Sequence, residues 1–133
     1  MARTRQVNRV LDASVALATV LGGPGGDLSD DHYRRSVVSL VNVCEVEATL
    51  LDHGVPESEF ATMWENLGVR TVALNHPMSN LAAMLIHRFR SVGLSLGDAA
   101  CIATAAHMSL PTYAADRRWA DLDGIGTEVH LIR

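Results

Sequence analysis

Short apolar runs alternate with longer helical segments along this chain, and that alternation constrains the fold more than any other feature. Val10-Leu11, Val37-Val38, Thr71–Leu74, Leu110–Ala115 and Thr127–Ile132 read as strands. Between them Ala13–Leu21, Val41–Leu51, Ser58–Leu67, Asn80–Val92 and Ala99–Met108 carry apolar residues at helical spacing, and Asp30–Arg35 reads as a shorter helix. Strands that take turns with helices build βαβ units, which require a mostly parallel sheet with helices on both faces. At 133 residues the chain has the length of one such α/β domain, 1–133, with 1–9 a loose N-terminal extension.

The punctuation agrees with this reading. Gly22–Gly26 stops the first helix and forms a flexible loop; its spacing is not that of a dinucleotide fingerprint, and Pro24 removes a backbone donor. Ser39 is placed to cap the helix at Val41, and His53-Gly54 to end it. Ser58, or Pro56 and its neighbours, precede the next one. Ser95-Leu96-Gly97-Asp98 is a capping box that opens the Ala-rich helix.

Charge narrows the chemistry. The chain holds 15 Asp and Glu against 11 basic residues, a formal charge of −4, and all 11 are arginine. The missing lysine excludes Schiff-base catalysis, the P-loop lysine and the Ser-x-x-Lys dyad. Cys44 and Cys101 have no Cys-x-x-Cys spacing and read as buried thiols of a reducing compartment. No signal peptide and no apolar stretch of membrane length is visible, so the expectation is a cytoplasmic protein with no membrane partner. His32, His53, His76, His87, His107 and His130 show no metal-ligand spacing.

Four acids stand where stability does not ask for them. Asp12 ends the first strand, Glu45 interrupts an apolar helical segment, Asp98 lies in the first turn of the Ala-rich helix, and Asp116 follows the strand that ends at Ala115. Singly, Asp12 and Asp98 are explained as helix caps, Glu45 as a surface residue, and Asp116 as a turn former or a partner of Arg117. Together they point to one sheet edge, the edge where open α/β folds bind ligands. Four gathered carboxylates repel one another unless a cation neutralises them. Oxygen ligands without Cys or His favour Mg²⁺ or Mn²⁺.

Four blocks carry a resemblance: Asp12-Ala13-Ser14, Ser39–Val46, Leu94-Ser95-Leu96-Gly97-Asp98-Ala99, and Tyr113-Ala114-Ala115-Asp116-Arg117-Arg118-Trp119. In this order they resemble the PIN-domain ribonucleases and, more narrowly, the VapC-type toxins of toxin–antitoxin pairs. The resemblance implies a PIN-like α/β/α sandwich and a metal-dependent endoribonuclease that cuts structured RNA. It puts Asp12, Glu45, Asp98 and Asp116 in the catalytic, metal-binding positions for one or two Mg²⁺ or Mn²⁺ ions. It also implies a homodimer and a VapB-type antitoxin as partner. Ser14 and Asn42 match polar positions of the family and are candidates for substrate contact, as is Arg117, which follows Asp116. One departure is Ala114, where the family has Thr.

Arg118, Arg34, Arg35, Arg88 and Arg90 are further phosphate candidates on chemistry alone. Trp119 is expected to anchor in the core rather than stack on a base. Two other functions compete. An aspartyl-phosphate protein also gathers acids at strand ends, but would resemble families that use a lysine, and in its phosphatases a second carboxylate stands where this chain has Ser14. A catalytically silent interaction module would keep the sheet and lose acids; none is lost.

Overall fold

The computed structural model describes residues 6–23, 25–26 and 30–133. Five strands form one sheet: β1 (Arg9–Leu11), β2 (Ser36–Ser39), β3 (Arg70–Val72), β4 (Thr112–Ala114) and β5 (Val129–Leu131). Their order across the sheet is β3-β2-β1-β4-β5. All four pairings among the described residues are parallel, with Val10 opposite Val37 on one side and Thr112 on the other. Six helices surround it: α1 (Ala13–Leu21), α2 (Asp30–Arg34), α3 (Leu40–Asp52), α4 (Phe60–Leu67), α5 (His76–Arg88) and α6 (Leu96–Met108).

The central strands are buried on both faces, which is why they read as apolar runs rather than alternating ones. Val10 and Val37 join Ala82 and Leu85 of α5 and Ala99, Ile102 and Ala103 of α6 in the larger core. Their neighbours Leu11 and Val38 point the other way and pack with Val15 and Tyr33. Ala13 and Ala16 of α1 meet Val46 and Leu50 of α3 in a third cluster. Trp119, 2% exposed, is part of the larger core, so the anchoring role expected of it holds.

Differences from the sequence reading lie at element ends. Helix α5 starts at His76, not Asn80, because Asn75 caps it by accepting from Met78 N, with Pro77 in the first turn, where its missing donor costs nothing. The same segment ends at Arg88 and continues as a 3-10 turn, Arg90–Val92. Neither Ser58 nor Pro56 caps a helix with its side chain; a 3-10 turn, Glu57–Glu59, leads into α4. Strand β3 sits at Arg70–Val72, one residue earlier than expected, and β4 and β5 are shorter than their apolar runs. Pro24 of the glycine-rich loop lies outside the described residues. Asn8 N donates to Arg35 O beside the start of β1. Cys101 is buried, but Cys44 is exposed on α3, a correction to the expected burial of both thiols. Among the described residues no helix is long and apolar enough to cross a membrane.

Candidate active site

Strands β1 and β2 run directly into α1 and α3, so both helices begin at the carboxyl edge of the sheet. Asp12 is the residue between β1 and α1. It caps α1, and its Oδ2 accepts from Ser14 N at 3.2 Å and from Ser14 Oγ at 2.6 Å. Ser14 Oγ in turn accepts from Ala115 N at 3.0 Å, which ties the start of α1 to the chain leaving β4. Ser39, between β2 and α3, caps α3 by accepting from Val41 N.

Glu45 projects from the second turn of α3. Asn42, fully buried one turn earlier, donates from Nδ2 to Glu45 Oε1 at 2.7 Å and to the Gly97 carbonyl at 3.0 Å. That second bond brings the first turns of α3 and α6 together. Asp98 lies in that turn of α6, where Ser95 and Asp98 form the capping box read from sequence: Ser95 N donates to Asp98 Oδ2 and Asp98 N to Ser95 Oγ.

Electrostatics shows which acids face one another. Asp12 is 5% exposed, and its carboxyl is pushed up to about 6, first by burial and then by the charges of Asp98 and Glu45, against the lowering effect of Ser14. Glu45 is also raised, by burial and by Asp98, with Asn42 opposing. The Cys101 thiol beneath them is held well above its ordinary value by burial and by all three acids, so it stays neutral. Asp12, Glu45 and Asp98 therefore form one group.

Asp116 is held differently from those three acids. It caps the 3-10 turn Arg117–Asp121, and both its oxygens are engaged by Arg118. Oδ1 accepts from Arg118 N and Nε, and Oδ2 from Nε and, at 2.6 Å, from Nη2. The guanidinium holds this carboxyl below its usual range. Arg118 Nη1 also reaches Val92 O, and the Arg118 charge is felt at Asp98's distance. The basic residue on Asp116 is thus Arg118, while Arg117 is exposed on the same turn. Ala114 is fully buried.

Among the described residues no three His, Cys, Asp or Glu side chains are arranged to hold a metal ion as they lie. The donor chemistry nonetheless fits a hard divalent cation. The hydrogen bonds on Asp12 and on Asp98 end on Oδ2, which leaves Oδ1 of each for a ligand. Two like charges beside a buried carboxylate are what such a cation relieves. Two hollows among the described residues lie elsewhere: about 450 Å³ between α5, α6 and Gly124–Gly126, and about 570 Å³ lined by α1, α3 and α4.

The four acids and the Ser95 partner of Asp98 are legible in the sequence; the partners of Asp12 and Glu45 are not. The Asn42 bridge joins residues 55 positions apart and the Ser14 bridge residues 101 apart, which spacing cannot reveal. The Arg118 grip had a local signal, a cation two residues after a capping Asp.

Comparison with known proteins bears on the family and the fold. The sequence pattern of the family described as PIN domain matches residues 9–125. No curated protein matches the chain. A toxin–antitoxin complex from Klebsiella pneumoniae has a similar fold, with a TM-score of 0.71 at 14% identity over 94% of this chain and 98% of that one. A VapBC-5 structure from Mycobacterium tuberculosis, a member of the VapBC family of toxin–antitoxin systems, gives 0.59 at 22% identity, over 93% and 96%. VapBC2 from Rickettsia felis, bound to a DNA fragment from their promoter, gives 0.66 at 8% identity, over 92% and 97%.

Proposed function

The chain belongs to the PIN domain family, and from that premise we propose that it is a divalent-metal-dependent endoribonuclease, the toxin of a toxin–antitoxin pair, cutting structured RNA by hydrolysis. The observation that carries this reading is Asp12: a carboxylate 5% exposed, raised to about 6, and kept beside two further acids from different elements. Such an arrangement is unfavourable in the bare protein and becomes favourable when a cation is bound.

Asp12 and Asp98 would hold Mg²⁺ or Mn²⁺ through their Oδ1 atoms, with Glu45 from α3. A bound ion of this kind neutralises charge on a phosphodiester and lowers the pKa of its water. The chain's own residues prepare the place for it. Ser14 fixes the Asp12 carboxylate, Ser95 that of Asp98, and Asn42 that of Glu45. Asp116 would join once Arg118 releases it. Arg117, exposed on the turn that follows Asp116, would offer a guanidinium fork to a phosphate chain, and Arg118 would do so on leaving Asp116. A VapB-type antitoxin partner is supported by the toxin–antitoxin complexes among the structural neighbours. A homodimer and a cytoplasmic location complete the proposal.

The test is cleavage of structured RNA with Mg²⁺ or Mn²⁺, beside an Asp98→Asn variant and an EDTA control. Metal-dependent cleavage lost in the variant is expected. Cleavage equal in both proteins, or indifferent to EDTA, removes the nuclease reading. A binding-only module is the second reading, favoured by the engagement of both Asp116 oxygens with Arg118; RNA or antitoxin binding without any cleavage would establish it.

A further inference from the structure

Gly97 has no conformational reason to be glycine. It lies in the first turn of α6 with ordinary helical backbone, is buried, and is not among the residues with positive φ. Alanine would suit a helix better there. What a side chain there would displace is Glu45: a Cβ built on Gly97 would come within 3.0 Å of Oε1, Cδ and Oε2 of that carboxylate, which would have to leave its place. The Glu45 carboxylate therefore rests on the bare backbone of α6. Asn42 closes the arrangement by donating to Glu45 Oε1 and to the carbonyl of Gly97 itself. Its own Oδ1 is buried and unpartnered, so the amide is committed through its NH₂ group alone.

We propose that Gly97 and Asn42 are positioning residues that together form a seat for the Glu45 carboxylate, holding it against the first turn of α6 that carries Asp98. Gly97 acts by leaving the space empty, and Asn42 by joining the carboxylate to the α6 backbone. A glutamate on an exposed helical turn otherwise samples many rotamers, and that freedom opposes a defined ligand position. The seat also makes α3 and α6 a single unit at the site: a shift between their first turns moves Glu45 relative to Asp98. This inference rests on the metal-dependent reading above.

A mutant cycle between Gly97→Ala and Glu45→Ala tests it, with thermal unfolding in EDTA and Mn²⁺ binding by calorimetry as readouts. Gly97→Ala should lower the melting temperature when Glu45 is present and raise it when Glu45 is alanine, because only the second background lets the better helix former express itself. With Glu45 present it should also weaken Mn²⁺ binding by about tenfold or more, the loss expected when a ligand's support is disturbed. Asn42→Leu, which keeps the volume and removes the amide, should weaken Mn²⁺ binding similarly. A Gly97→Ala shift of the same sign and size in both backgrounds, or unchanged Mn²⁺ affinity, overturns the seat. Failure of the wild type to bind Mn²⁺ or cut RNA would instead overturn the nuclease reading, while the melting-temperature cycle still decides whether the seat exists.

Discussion

The two sides of the acidic edge solve the same electrostatic problem in opposite ways. On one side Asp12, Glu45 and Asp98 act on one another as like charges, and Asp12 is raised to about 6, first by its burial and then by the other two acids. On the other, Asp116 is covered by a guanidinium on both oxygens and is lowered. The first side is under strain that a bound cation would relieve. The second is already neutralised by the chain's own Arg118. The difference teaches that the four acids are not equivalent, although their positions in the sequence suggest a single set.

The largest effect that separates the two sides is on the proposed activity. Asp12→Asn should reduce Mn²⁺-dependent RNA cleavage by a factor on the order of 10²–10³, the scale at which preorganised charge in an active site acts. Arg118→Gln should leave most of it. Equal losses in the two variants, measured on the same RNA, would mean that the sides act as one.

Breaking the Asp116 side from beneath is the next strongest test. Trp119, in the turn that Asp116 caps, is packed in the larger core. Trp119→Ala should cost about 3–5 kcal/mol in denaturant unfolding. A cost under about 1 kcal/mol would show that this corner is not anchored through the core.

The Asp12 side makes a prediction about pH. Asp12 holds its proton more tightly folded, at about 6, than its ordinary value of 3.8 allows. Metal-free stability from this group is therefore greatest at low pH and declines as pH rises between those values. Asp12→Asn should stabilise the protein in EDTA by up to about 3 kcal/mol at pH 7.5, and by little at pH 4. The same gain at both pH values would assign the effect to something other than ionisation.

The smallest effect belongs to the exposed pair. Removing Arg118 should let the Asp116 carboxyl return upward to the ordinary range, visible in a carboxyl NMR titration, while melting temperature moves by less than about 2 °C, since exposed ion pairs contribute little. Because Asp116 is lowered when paired, what stability the pair does give is present at neutral pH and lost as acid protonates it.

Much of this was legible in the chain. Helix α1 and the capping box of α6 follow from local chemistry, and both stand where spacing predicts them. The parallel sheet follows from strands that read as apolar runs and take turns with helices. Boundaries moved where a cap looked unremarkable in sequence, as at Asn75, or where an apolar run outlasted its strand, as at Leu110–Ala115. Cys44 was misjudged because an apolar neighbourhood in sequence does not say which side of a helix faces out.

By itself the sequence determined the α/β order, the family pattern, the absence of lysine and the identity of the four acids, since these depend on residue type and local spacing. It also showed that the −4 charge is carried by these acids, the remainder of the chain being neutral in sum. Tertiary structure decided how that charge is divided. Only the fold buries Asp12, lays the Glu45 carboxylate on Gly97, and lets Arg118 close over Asp116. Burial and charge–charge distance set the energy of an ion, and both are properties of packing between distant segments.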